Sequence, residues 1–386
     1  MKLILLFLLF ISTTYAEQEW GCASTSNTGE FIRSSNCTIS GNNHVEVNNS
    51  LEINGTNTDM NNLVTITAAN NQRHFYLNHA NAKLTLRYVK LVGGDVSSYS
   101  DDPDGLGGSI CIYTNDGELN LYSSIVFNNK AVYGGGIYAW GASNTNKNAI
   151  MNIYNSIIQN NEATSWGGGI DMHAAVAAIY NTTIDNNQAS SAISSGGGMY
   201  ISNSDVTMKN TIISNNDAGW NGGGLYIRGD STIVTLRQSS FINNDASLYG
   251  DEIYTELSPT ISLINTYFNN PNNNNNFYEN TLSGTPTWKT CSNNLCTEDP
   301  FSGTCSQVDN TDIKLGVICS SQDINITDGL NLANITARLV KLEQANVALQ
   351  KLLGGCECSA SVLTGCKVGD NQAIIAAYKE LNQCGT

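Results

Sequence analysis

Residues 151–172 read MNIYNSIIQNNEATSWGGGIDM, and the same sentence returns between residues 80 and 270. Its apolar marks align into columns. One runs Leu86, Leu121, Ile153, Ile179, Met208, Leu236 and Leu263; five residues later stand Leu91, Val126, Ile158, Ile184, Ile213, Phe241 and Phe268. Two residues ahead of the first column lie Leu84, Leu119, Met151, Ala177, Val206, Val234 and Ile261. Successive copies are 35, 32, 26, 29, 28 and 27 residues apart. A fixed core phrase with loops of varying length is the sequence form of a solenoid of stacked coils.

Period-2 spacing puts the first and third columns on the same face of one strand. The five-residue step to the second column breaks alternation, so the chain turns a corner there. A glycine block follows in each copy: Gly107-Gly108-Ser109-Ile110, Gly134-Gly135-Gly136-Ile137, Gly167-Gly168-Gly169-Ile170, Gly196-Gly197-Gly198-Met199 and Gly222-Gly223-Gly224-Leu225. Gly250-Asp251-Glu252-Ile253 is a worn version. These glycines permit positive φ and close approach between coils, and the residue after them opens another strand. Helical periodicity is absent here. The expected fold is all-β, a right-handed parallel β-helix of the pectin-lyase-like kind over residues 41–290. The columns hold some two dozen apolar side chains, each contributing ~1.5–3 kcal/mol when buried, before chain entropy is subtracted. A single coil cannot bury its own face; stacked neighbours can.

A polar column stands two residues after the first apolar one: Ser123, Asn155, Asn181, Asn210, Gln238 and Asn265. It reads as an inward ladder of side-chain amides that satisfies the bend. A row of ligand donors is the competing reading.

The phrase [V/I/F]-x-N-N-x-A recurs as Val126 to Ala131, Ile158 to Ala163, Ile184 to Ala189, Ile213 to Ala218 and Phe241 to Ala246, each ahead of a glycine block. This resembles the repeat of the polymorphic outer-membrane proteins, with its paired FxxN and GGA[I/L/V] motifs. Phe241 to Asn244 matches the first motif outright, whereas the third residue of the second motif is Gly here. The resemblance covers residues 80–270 and implies a β-helical, extracellular passenger associated with adhesion. Bacterial members end in a membrane barrel, and the sequence gives no sign of one.

Met1-Lys2, the apolar run Leu3 to Ile11 and Thr14-Tyr15-Ala16 read as a signal peptide over residues 1–16. The run is too short to span a membrane. A secreted product is expected, extracellular or at the cell surface. Six Asn-x-Ser/Thr sequons occur, at Asn36, Asn48, Asn54, Asn181, Asn325 and Asn334. Asn181 is expected to stay bare because it belongs to the inward column.

Eleven cysteines in a secreted chain mean disulfides. Cys22 and Cys37 are expected to pair in an N-terminal cap over residues 17–40. Cys291, Cys296, Cys305 and Cys319 read as a stapled cap over residues 291–325 that covers the open end of the solenoid; a zinc site is the rival reading. Cys356, Cys358, Cys366 and Cys384 belong to a tail over residues 326–386, and Cys111 is left over. In the tail, Leu332, Ile335, Leu339, Leu342, Asn346, Leu349 and Leu353 step by three and four. That is a heptad seam with Asn346 at an a position, suited to a parallel homo-oligomer through residues 332–353. One amphipathic helix docked on the cap is the alternative.

A net charge of −15 argues against nucleic acid and polyanionic sugars as partners. Four histidines exist, His44, His74, His79 and His173, and the Gly-His-Gly of pectin-hydrolysing β-helices is missing. Asn57-Thr58-Asp59 and Asn310-Thr311-Asp312 match one string of those enzymes, but outside the repeat strands. Asp101, Asp102 and Asp104 form an acidic loop of the kind a calcium-dependent lyase would need, or simply a solvated one. No catalytic residue, metal or cofactor is expected. The outward surface is aromatic: Tyr138, Tyr200, Tyr226 and Tyr254 follow the glycine-block apolar residue, with Tyr113 and Trp140 two positions further on in their strands. They form a candidate ladder for glycan rings or an extracellular protein, or strand-favouring residues that pack on one another. The expected function is surface adhesion or extracellular assembly. A polysaccharide-active enzyme and a carbohydrate-binding module are the alternatives.

Overall fold

The computed structural model describes residues 18–298, apart from 24, 26–27, 41–43, 100–102, 142–147, 265, 270–276, 281–286 and 293–294. These residues form a β-solenoid of about seven turns with no helix. One coil shows the plan. Ala149–Tyr154, Ile157–Gln159, Glu162–Trp166 and Ile170–His173 are four strands joined by corners. Each pairs in parallel with its copy in the coils before and after, giving sheets of eleven, nine, five and nine strands. The register runs Leu119↔Met151↔Ala177↔Val206↔Val234 without a slip.

All three apolar columns face inward. Ile153, Met208 and Leu236 are fully buried, as are Val126, Ile158 and Phe241. Ile137 and Ala139, Ile170 and Met172, and Leu225 and Ile227 line the third wall of the same core.

The glycine block and the Asn-Asn pair are two halves of one device. The first glycine of each block is left-handed, with φ between 62° and 72° at Gly107, Gly134, Gly167, Gly196, Gly222 and Gly250. Where the third is also glycine, at Gly136, Gly169, Gly198 and Gly224, the next coil's carbonyl and its Asn amide crowd the space that a Cβ would take. A Cβ on Gly169 would meet the Asn187 amide at 3.1 Å and the Gly198 carbonyl at 2.7 Å. That amide belongs to a buried chain in which Asn129, Asn161, Asn187 and Asn216 each donate Nδ2 to the next Oδ1, at 2.8–3.0 Å. The same Oδ1 atoms accept the backbone N–H of the preceding rung, Asn161 N–H to Asn187 Oδ1 for example, at 3.0 Å. The paired motifs therefore occur together for a steric reason.

The inward amide ladder is thus the second Asn of the pair, and the sequence expectation placed it on the wrong column. Asn155, Asn181 and Asn210 do bond to one another, at 3.1 and 3.0 Å, but on the exposed outer side. Their φ is 51°, a left-handed conformation that Asn tolerates better than other side-chain-bearing residues. Inside the same corner sit hydroxyls one residue later: Ser124, Ser156, Thr182, Thr211 and Ser239, all buried. Asn265 lies outside the described residues.

The ladder ends on titratable groups. Asn244 Nδ2 donates to Glu252 Oε2 at 2.5 Å, where Glu252 replaces the third glycine. Burial, and then the charge of Asp251, lifts the Glu252 carboxyl to about 8. At the other end, buried His74 contacts Ser109 Oγ and the Ile66 carbonyl, both at 3.1 Å, and burial pushes its imidazole down to about 4.

Stacking begins earlier than residue 41. Gly29–Arg33 already pairs with Ser50–Gly55, and the Cys22–Cys37 disulfide ties the leading segment to this first coil. At the far end Thr287–Ser292 continues the eleven-stranded sheet in parallel, and Leu295–Glu298 reverses against it with Cys291 opposite Cys296. Those two cysteines belong to the sheet's last strands. Residues 1–16, Cys305, Cys319, Cys356, Cys358, Cys366, Cys384, Asn310 to Asp312, Asn325, Asn334 and the seam over 332–353 lie outside the described residues.

Candidate functional site

The strands after the glycines carry two outward columns. One holds Cys111, Tyr138, Asp171, Tyr200, Tyr226 and Tyr254; the other holds Tyr113, Trp140, His173, Ser202, Arg228 and Glu256. Parity places them outside the core, as expected, yet the first column is buried. Tyr200 and Tyr226 stack at 4.9 Å and 8°, Tyr226 and Tyr254 at 4.9 Å and 18°, and Trp166 and Tyr200 at 5.0 Å and 9°. Tyr113 and Trp140 do the same at 4.9 Å. Rungs of a parallel sheet are about 4.8 Å apart, close to the thickness of stacked rings. The stacked rings of Tyr200, Tyr226 and Tyr254 therefore spend faces on one another, as strand residues that pack on one another do, while Tyr113 and Trp140 stay half-buried. Cys111 lies beneath Leu106 and Tyr138 in the same layer.

Between Tyr138 and Tyr254 the tyrosine column is interrupted once, by Asp171. His173 Nε2 lies 2.9 Å from Asp171 Oδ1, and its ring sits between Tyr138 and Tyr200 at 5.8 and 5.4 Å. Burial opposes the imidazolium, but the Asp171 charge and hydrogen bond outweigh it and His173 is raised. Burial also raises the Asp171 carboxyl, partly offset by His173. Two rungs on, Arg228 Nε approaches Glu256 Oε2 at 3.3 Å, and the Tyr226 hydroxyl donates to the same oxygen. Burial, then the Asp171 charge, lifts the Tyr200 hydroxyl to about 12. Chemically the Asp171–His173 pair is a buried acid–base contact among aromatic rings. Among the described residues no three His, Cys, Asp or Glu side chains converge as a metal site.

A second aromatic column, which the sequence reading missed, crosses the eleven-stranded sheet. Arg87 lies 4.0 Å over the Tyr122 ring, Tyr122 stacks on Tyr154 at 5.3 Å and 8°, and Tyr180 meets Tyr154 edge-on. Its signal was available: each member follows the first apolar column by one residue.

The enzyme-like string Asn57-Thr58-Asp59 forms a surface turn, with Asn57 Oδ1 accepting from the Asp59 N–H and Asp59 accepting from Asn61 and Asn62. Of the expected glycosylation sites, Asn36 is exposed, and Asn48 and Asn54 are half-buried. Asn181 is exposed, which removes the reason given for exempting it. Comparison with family models, with curated proteins and with solved structures finds no match for this chain.

Proposed function

We propose that this chain is a secreted, glycosylated and non-catalytic right-handed β-helix of pectin-lyase-like form that acts in surface adhesion or extracellular assembly. One observation carries the reading. Side chains repeat in register, rung by rung, on the outer faces of a stiff solenoid, which suits presentation of an extended surface to a glycan or an extracellular protein. The leader-like residues 1–16 and the sequons support an extracellular setting, and residues 332–353 supply a segment suited to self-association. The test is adhesion of the purified chain to glycan-coated and cell-derived surfaces, alongside a polysaccharide depolymerisation assay. Saturable adhesion without depolymerisation is expected. Depolymerisation that disappears in Asp171→Asn would replace this reading with the enzymatic one, which the buried Asp171–His173 couple beside Arg228 favours.

A further inference from the structure

Seven large apolar side chains are more than a third exposed among the described residues, and four of them share one corner. Ile193, Trp220, Leu248 and Tyr249 come from three successive coils, just ahead of the glycine blocks. The exposures are 71, 42, 44 and 38%. Nothing in the fold requires them there. The corner is held rigidly by other atoms: the Trp220 N–H donates to the Ser194 carbonyl and the Leu248 N–H to the Trp220 carbonyl, both at 2.9 Å. Ser194 Oγ donates to the Ser191 carbonyl at 2.7 Å and accepts from the Gly219 N–H at 3.2 Å. A Cβ on Gly219 would collide with the Ser191 carbonyl. A rigid loop that keeps isoleucine and tryptophan in water is the form of a recognition surface.

What the strip recognises follows from its polar neighbours. Bridges Trp166↔Ser195↔Asn221↔Tyr249 place two small polar residues between two aromatic ones. Asn221 is 3% exposed, and its Oδ1 has no hydrogen-bond partner among the described residues, an omission that costs about 1–3 kcal/mol. The neighbouring short sheet runs Lys130, Glu162, Gln188, Asp217 and Asp245 in one column. Lys130 pairs with Glu162 at 2.8 Å, away from the strip's own coils, and Gln188 Nε2 donates to Asp217 at 2.8 Å, so the coils that carry Trp220 and Leu248 present Asp217 and Asp245. Acceptors therefore dominate beside an apolar strip, and they call for a ligand rich in neutral donors. Carboxylated or sulfated chains meet that acidic row and a net charge of −15.

The geometry points to a neutral, hydroxyl-rich glycan chain laid along this corner, with the C–H face of a sugar ring on Trp220 and hydroxyls on the acceptors. The assignment rests on the glycan branch of the proposed function and gives it a place. The strip's Trp166 end adjoins the tyrosine stack, since Trp166 already stacks on Tyr200, so the free apolar surface lies at Ile193, Trp220, Leu248 and Tyr249.

The test titrates the full chain with neutral hexasaccharides of glucose, N-acetylglucosamine, xylose and mannose, read by calorimetry and tryptophan fluorescence. Saturable binding of at least one is expected, insensitive to salt. Trp220→Ala should weaken it about tenfold or more, and Trp220→Phe, which keeps a ring, should retain most of it. An unchanged melting curve for both variants excludes misfolding. Absence of saturable binding to all four, or binding untouched by Trp220→Ala, overturns the assignment. So does salt-sensitive binding confined to uronic-acid chains or to a lysine-rich peptide. Adhesion by the unaltered chain with no hexasaccharide binding sinks the strip alone. Hexasaccharide binding without adhesion keeps the strip and sinks the adhesion reading.

Discussion

Asn181 and Asn187 lie six residues apart, belong to the same repeat and both join amide chains that run from coil to coil. Asn187 is buried: its Oδ1 accepts two hydrogen bonds from Asn161, and its Nδ2 donates to Asn216 and to the Ile158 carbonyl. Asn181 is exposed, and its bonds to Asn155 and Asn210 face water. One asparagine is kept for what its side chain joins, the other for the φ its backbone adopts. A repeated residue type thus carries two unrelated physical messages, separated by which side of the corner it falls on.

Substitution should pull the two apart. Asn187→Ala strands the backbone and side-chain N–H groups of Asn161, takes a donor from the Asn216 and Ile158 oxygens, and should cost about 3–5 kcal/mol in chemical denaturation. Asn181→Gly keeps the left-handed backbone and should stay within about 0.5 kcal/mol, whereas Asn181→Ala should cost about 1 kcal/mol. Gly169→Ala strikes the inner column from its other half, by driving a Cβ into the Gly198 carbonyl and crowding the Asn187 amide, and should cost about 2–4 kcal/mol.

The ends of the inner chain sharpen the contrast further, since the outer chain has no such dependence on pH. Glu252 holds its proton to about 8 in the folded state, against 4.5 ordinarily. Between those values the native state binds more protons, so stability falls as pH rises through that window, by up to about 5 kcal/mol. Glu252→Gln should flatten the fall in melting temperature from pH 5 to 8. His74 has the opposite sign: lowered to about 4, it contributes stability above pH 6.5 that is lost as pH falls toward 4. A smaller alkaline loss should come from His173, raised by Asp171. The His173 contribution is complete below pH 6.5 as long as Asp171 stays ionised and fades as pH passes the raised value, and Asp171→Asn should remove the step. Last, Asn181 sits in a complete sequon on the outer side. Glycopeptide mapping should find it occupied along with exposed Asn36, with no change in the fold.

The solenoid was legible because strands preserve parity: Met151, Ile153 and Ile158 declare the core face with no structure in hand. The inner amide ladder was not, because the left-handed residue at each corner shifts the phase. Tyr154 and Asn155 both face outward before Ser156 turns in, so counting by twos fails across the bend. The site was half legible. Parity put Tyr200 and Tyr226 outside the core, but their burial depends on ring stacking at the rung spacing and on Trp166, which comes from a different strand. Trp220 and Ile193 stand at corners where no column repeats them, so the alignment that exposed the core passed over them.

Side-chain amide hydrogen exchange tests the central claim most directly, since it reads both asparagine columns in one sample. The Nδ2 protons of Asn161, Asn187 and Asn216 should exchange orders of magnitude more slowly than those of Asn155 and Asn181. Rapid exchange at Asn187 with protection at Asn181 would place the ladder on the other column and contradict the interlock of amide and glycine that holds the coils together.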